Sequence, residues 1–187
     1  SVSRLGWIDG AGFSPYVDDL VFDGELSYKS FFESVQEHGC LETWLETARK
    51  ARKYGVYARV ILAASFASVL VQPLGCLPFF VHLWGGTEVG KTVGLMLAAS
   101  VWASPDMGRY IHTFNSTSVG REKSAGFVNS LPLIFDELQI ISDRRSFDNE
   151  IYMLSEGIGR SRGAKTGGIQ KLETWRNCIL TSGEKIG

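Results

Sequence analysis

The sequence predicts an α/β protein, a three-layer sandwich with helices on both faces of a parallel sheet. Three observations carry this. Short apolar runs alternate with segments of helical periodicity over the second two-thirds of the chain, the pattern of strand–helix–strand units. One such run, Phe79-Phe80-Val81-His82-Leu83-Trp84, leads into Gly85-Gly86-Thr87-Glu88-Val89-Gly90-Lys91-Thr92, and this leads into a helical stretch, Val93 to Trp102. Farther on, Leu133-Ile134-Phe135 ends in the acidic pair Asp136-Glu137.

Each element can be read in turn. Residues 1–55 form an accessory segment and 56–187 the sandwich. Leu5-Gly6-Trp7-Ile8, Phe13 and Leu20-Val21-Phe22, cut by Asp9-Gly10 and Asp23-Gly24, read as short β-hairpin structure. From Leu26 to Lys53 the period turns helical, with Phe31, Phe32 and Val35 on one face. After a break at Gly39, Leu41, Trp44, Leu45 and Ala48 continue it. No charge occurs between Arg59 and Glu88. Gln72, Pro73, Gly75 and Pro78 cut this run, so it reads as a buried helix (Tyr57 to Val71), a turn and a central strand rather than a membrane span. Ser104-Pro105-Asp106 stops the next helix, and Arg109 to Phe114 reads as a strand. Val119 to Asn129 reads as a helix with Arg121 and Lys123 on a solvated face. Pro132 is tolerated at the first positions of its strand. Phe147 to Glu156 is helical, and Trp175 to Leu180 is a last strand, running into Thr181-Ser182-Gly183-Glu184.

The glycine loop carries the first chemistry. Strand, G-x-x-x-x-G-K-[ST] and helix together place backbone N–H groups around one concavity that prefers anions. Gly85, Gly86, Thr87, Glu88, Val89 and Gly90 form that cradle for a nucleotide. Lys91 reaches the β- and γ-phosphates, and the Thr92 hydroxyl ligates Mg²⁺. Glu88 puts an acid inside this loop. A carboxylate in the cradle repels phosphate, so its side chain must point outward for ATP to bind. Asp136 and Glu137 stand at the C-terminal end of a strand, where ligands gather in open α/β sheets. Asp136 is expected to hold Mg²⁺, through water, and Glu137 to act as general base toward the attacking water.

Arg160 to Lys171 holds four cations and no acid. Arg160 and Arg162 suit the γ-phosphate, in their own subunit or a neighbour's. Lys165 and Lys171, flanking Gly167-Gly168, suit a hairpin on a nucleic-acid backbone. A solvated loop is the plainest reading of the same residues.

Composition bounds the rest. The 187 residues are 44% hydrophobic and 21% charged, with a formal net charge of −1, so any basic surface is local. Cys40, Cys76 and Cys178 are scattered and His38, His82 and His112 have no metal-ligand spacing, which points to reduced thiols and a cytoplasmic setting. No secretory signal opens the chain.

With these motifs in place, the chain resembles the DUF927 family (a domain of unknown function), P-loop ATPase domains of prophages and mobile elements related to phage primase–helicases. The matching stretches are Gly85 to Thr92, Leu131 to Glu137 and Trp175 to Glu184. The resemblance implies an additional-strand, AAA+-like core, with a sensor strand between the phosphate-loop strand and the acidic strand. It also implies a polar residue on that sensor strand that helps place the water, Thr181 first and Ser182 in reserve. Related domains form homo-oligomeric rings that move on single- or double-stranded DNA. No fifth strand follows, so the chain reads as C-terminally incomplete. The expected function is Mg²⁺-dependent ATP hydrolysis coupled to DNA unwinding or translocation. A nucleotide switch without a DNA motor, or a nucleotide-binding scaffold with vestigial hydrolysis, remain the alternatives.

Overall fold

The computed structural model describes residues 1–86, 90–114, 116–138, 144–161 and 172–183. Strands β1 (Gly6–Ile8) and β2 (Gly12–Ser14) form an antiparallel hairpin. Helices α1 (Lys29–Glu33), α2 (Leu41–Lys53) and α3 (Val56–Ser68) follow. The remaining elements are β3 (Phe79–Trp84), α4 (Lys91–Ala99), β4 (His112–Thr113), α5 (Ser118–Val128), β5 (Leu133–Asp136), α6 (Arg144–Glu156) and β6 (Cys178–Gly183). The last four strands make one parallel sheet in the order β3-β6-β5-β4. The mixed α/β class and parallel sheet are those the sequence predicts, and the last strand in the chain does insert between β3 and β5.

Period-2 alternation sorts the sheet into two faces. Leu83 pairs with Ser182, and Phe135 pairs with Thr181. Leu83, Ser182 and Asp136 therefore share one face, and Phe135, Thr181 and His82 the other. Helix α4 lies on the first face: a Cβ added at Gly94 would sit 2.8 Å from the Ile61 side chain and 3.2 Å from that of Leu83. The second face is covered by α5, since Phe135 meets Phe114 edge to face at 5.3 Å and the Arg121 guanidinium lies 4.4 Å over the Phe114 ring. Opposite directions of travel, β3 to β4 and then β4 to β5, put their crossover helices on opposite faces when both are right-handed. Three layers result, and the core between them includes Leu95, Ala98, Ile134, Leu180, Phe135 and Ile179.

The N-terminal segment is sewn onto this core. Leu5 is fully buried, and its N–H donates to the Phe127 carbonyl at 2.8 Å. Gly6 has φ +75°, and a Cβ there would stand 2.1 Å from the Ser130 hydroxyl oxygen. Only glycine allows the hairpin to approach so closely that the Trp7 N–H reaches that hydroxyl, at 2.8 Å. Burial pushes the Cys178 thiol up to about 12, so this sulfur is an inert core atom, and all three cysteines are free.

Four sequence expectations need correction. Strand β3 is an edge strand among the described residues, not a central one, and Phe79, His82 and Trp84 stay exposed along it. The helix read as buried is buried on one side only, through Ile61, Leu62, Ala64, Ser65 and Ser68, because its partners, α4, α2 and β6, leave the rest of its surface uncovered. The strand expected over Arg109 to Phe114 contributes two residues to the ladder. The chain folds back at residues 107–111, with the Gly108 N–H on the Ile111 carbonyl, and so withholds the others. Arg121 does not lie on a solvated face: it is buried, ion-paired with Glu150 of α6 at 3.1 Å, and donates to the carbonyls of Phe114 and Ser116. A guanidinium and carboxylate with such partners can share a buried interface that neither could occupy alone.

Among the described residues no helix is long and apolar enough to cross a membrane. Arg121→Ala should cost about 3–5 kcal/mol of stability, because Glu150 is left buried without its cation. Replacing both residues with Met and Leu should recover much of the loss, and urea unfolding of the three proteins checks this.

Candidate functional site

The glycine loop and the acidic strand meet at the C-terminal end of the sheet. Strand β3 delivers Gly85 and Gly86, and Gly90, with φ +80°, turns the chain into α4. A Cβ at Gly86 or Gly90 would meet nothing within 4 Å, so the space in front of these residues is open. The Lys91 ammonium folds back on the loop and donates to the carbonyls of Gly85 at 2.9 Å and Gly86 at 2.6 Å. Its charge is thereby held inside the concavity by two weak acceptors that an anion would replace.

One turn into the site lies the carboxylate of Asp136, on the α4 face of β5. Its Oδ2 accepts from the Thr92 hydroxyl at 3.0 Å. Its Oδ1 accepts from the Ser182 hydroxyl and from the Glu137 N–H, the latter at 3.1 Å. A hydroxyl and a carboxylate in contact beside a phosphate cradle are the hard oxygen donors that suit Mg²⁺. The residues present therefore fit both a polyphosphate and its cation.

Glu137 leaves the strand with φ +60°, a left-handed conformation uncommon for a side-chain-bearing residue. Its N–H donates to Asp136 Oδ1 and to Ser182 Oγ, each at 3.1 Å, and these bonds hold it there. The turn leaves Glu137 exposed at the mouth while Asp136 is buried. Adjacent acids are thus separated into an inner and an outer carboxylate.

The two hydroxyls of β6 part in the same way. Ser182 is on the Asp136 face. Thr181 is fully buried on the opposite face, with its Oγ1 2.9 Å from Nδ1 of His82. Though the residue is exposed overall, partial desolvation of its ring beside Thr181 lowers the His82 pKa and favours the neutral imidazole, which can take either hydrogen-bonding role. Sequence ranking placed Thr181 ahead of Ser182. Strand alternation from Asp136 and the pairing register separate them, but the register is not readable from sequence.

Arg160 lies in another layer. Its N–H donates to Glu122 of α5 at 3.1 Å, on the sheet face away from α4. There Ile158 pairs antiparallel with Thr174, and the Gly159 N–H donates to the Glu173 carbonyl at 2.8 Å. Residues 157–160 and 172–175 are thus the two arms at the base of the basic segment. Thr87, Glu88 and Val89 of the loop, Arg162, Lys165 and Lys171 of the basic segment, and Glu184 lie outside the described residues.

The model of the domain of unknown function DUF927 matches residues 1–174 of this chain. The chain belongs to the DUF927 family. No curated protein matches it. Among solved structures it is similar to one described as "SCCmec type IV Cch - active helicase", at a TM-score of 0.61 and 19% identity, over 79% of this chain. The alignment takes in 27% of that chain, so this DUF927 domain spans about a quarter of the solved protein. At that identity the likeness concerns the fold, a P-loop-like α/β core. The family match stops before β6, so Ser182 enters the site on the strand register and on its bonds to Asp136 and the Glu137 N–H, not on the family match.

Removing the left-handed side chain at the mouth tests its cost. Glu137→Gly should raise stability by about 1 kcal/mol, seen as a Tm about 2–4 °C higher, since glycine adopts φ +60° without penalty. An unchanged or lower Tm would mean that the Glu137 side chain makes contacts that offset its strain.

Proposed function

We propose that this DUF927 domain binds ATP with Mg²⁺ and hydrolyses it, and that the full protein couples this to unwinding or translocating DNA. The observation that carries the reading is the contact of Thr92 with Asp136 at the mouth of the glycine loop. It brings the last residue of one motif onto the first acid of the other, across 44 residues of sequence.

The roles follow from the positions. Backbone N–H groups of the loop and the N-terminal turn of α4 receive the phosphates, and Lys91 exchanges its two carbonyl acceptors for phosphate oxygens. Thr92 and Asp136 hold the cation, which when bound neutralises charge on the β- and γ-phosphates. Glu137, outside the inner carboxylate, takes the proton of the attacking water as the water oxygen bonds to the γ-phosphorus and ADP leaves. Ser182 fixes the orientation of both acids, through Asp136 Oδ1 and the Glu137 N–H. Thr181, on the opposite face of β6, contacts His82 and not the two acids.

Arg160 supports a role in trans or on DNA. Its backbone is joined to α5, and the sheet stands between α5 and α4, so its own γ-phosphate is the less accessible target. Under this proposal Arg160 and Arg162 serve the nucleotide of a neighbouring subunit in a ring, and Lys165 and Lys171 bind DNA. The structurally similar protein is described as a helicase, which supports the DNA motor over a nucleotide switch.

Lys91→Ala should abolish hydrolysis and weaken ATP binding while the domain stays folded, and wild-type turnover in that variant would contradict the reading. Glu137→Gln should keep binding and lose turnover. Ser182→Ala should reduce kcat by about tenfold or more, whereas Thr181→Val should chiefly lower stability. DNA-stimulated turnover of the full protein, lost on replacing Lys165 and Lys171, distinguishes the motor from a switch.

A further inference from the structure

Helices α3 and α4 run parallel with a fixed offset. Ile61 packs on Gly94, and the Ser65 hydroxyl donates to the Ala98 carbonyl at 2.7 Å. Both contacts differ by the same amount, 94 − 61 = 98 − 65 = 33. Extending the register one turn back, Tyr57 stands level with Gly90, the residue that caps α4 at the end of the glycine loop. Val60 stands level with Val93, directly after the loop.

These side chains are left largely exposed. Tyr57 is 68% exposed, Val93 66% and Val60 47%, with Tyr54 and Val56 also exposed on the same end of the helix pair. Single apolar residues at a surface need no explanation, but an aromatic and aliphatic group at one place does. By the register set at Ile61 and Ser65, this one adjoins Gly90, where the glycine loop passes into α4. A nucleotide anchored there by its phosphates has a planar, largely apolar base to place within reach of the loop. An exposed tyrosine ring flanked by valines is suited to receive such a base by stacking, and suited to any base because every base has a π-face.

We propose that Tyr57, with Val60 and Val93 beside it, is the platform for the nucleobase of the bound nucleoside triphosphate. The proposal rests on the nucleotide site argued above and adds the part of the ligand that the loop does not touch. It assigns the uncovered end of α3 to the ligand and not to another protein surface. It also predicts loose base selectivity, since stacking on apolar groups reads a face rather than a hydrogen-bonding edge.

Calorimetric titration of the domain with ATP and with inorganic tripolyphosphate, each with Mg²⁺, tests it. Tyr57→Ala should weaken ATP about tenfold and leave tripolyphosphate within twofold of wild type, because the latter has no base. Tyr57→Phe should bind ATP nearly as wild type, since the ring is kept. ATP affinity unchanged in Tyr57→Ala, including the case in which only self-association changes, overturns the platform but leaves the phosphate site standing. Equal weakening for ATP and tripolyphosphate also overturns it. If wild type binds neither, or Lys91→Ala binds both as wild type does, the nucleotide site itself falls and the platform with it.

Discussion

The carboxylate of Asp136 is the point on which the site depends. It is buried at the end of a strand whose four residues are all buried, and it accepts from three donors: Thr92 of α4, Ser182 of β6, and the N–H of Glu137 in the turn that follows. A buried carboxylate without such partners would be costly. With them it links the helix that follows the glycine loop, the inserted strand and the turn that exposes Glu137. The insertion of β6 between β3 and β5 is therefore more than topology. It supplies the hydroxyl that fixes both acids of the pair.

A second buried network stands on the opposite face. The Phe114 N–H donates to the Asp136 carbonyl at 3.0 Å, the Phe114 carbonyl accepts from Arg121, and Arg121 pairs with Glu150. Glu122, the next residue of α5, receives the N–H of Arg160 at the base of the basic arms. The acidic strand and the basic segment are thus joined through α5 by contiguous bonds. This continuity is spatial. It gives a route along which a change at the acidic pair would be felt at Arg160, provided α5 moves as a unit.

The parts legible in the sequence were those with local signals. Gly85 to Thr92 announces itself by spacing, Asp136 and Glu137 by following an apolar run, and the parallel sheet by alternation of strand and helix. What was not legible depends on partners distant in the chain. Arg121 looks like a surface cation beside Glu122 and Lys123, and only its packing against Phe114 and Glu150 makes it a core residue. The choice between Thr181 and Ser182 turns on a one-residue register, which flips a side chain to the other face. The edge position of β3 could not be read from its composition, since an aromatic, charge-free run also describes a strand with neighbours on both sides.

Thermal unfolding in the presence of ATP, with and without Mg²⁺, tests the central place of Asp136 most directly. A ligand that binds only the native state stabilises it by RT ln(1 + [L]/Kd) and so raises Tm. Wild type should gain one increment from ATP in EDTA and a further increment when Mg²⁺ is restored. Asp136→Asn should keep the first increment and lose the second. An Asp136→Asn protein with the full Mg²⁺-dependent increment would place the cation elsewhere and contradict this account of the site.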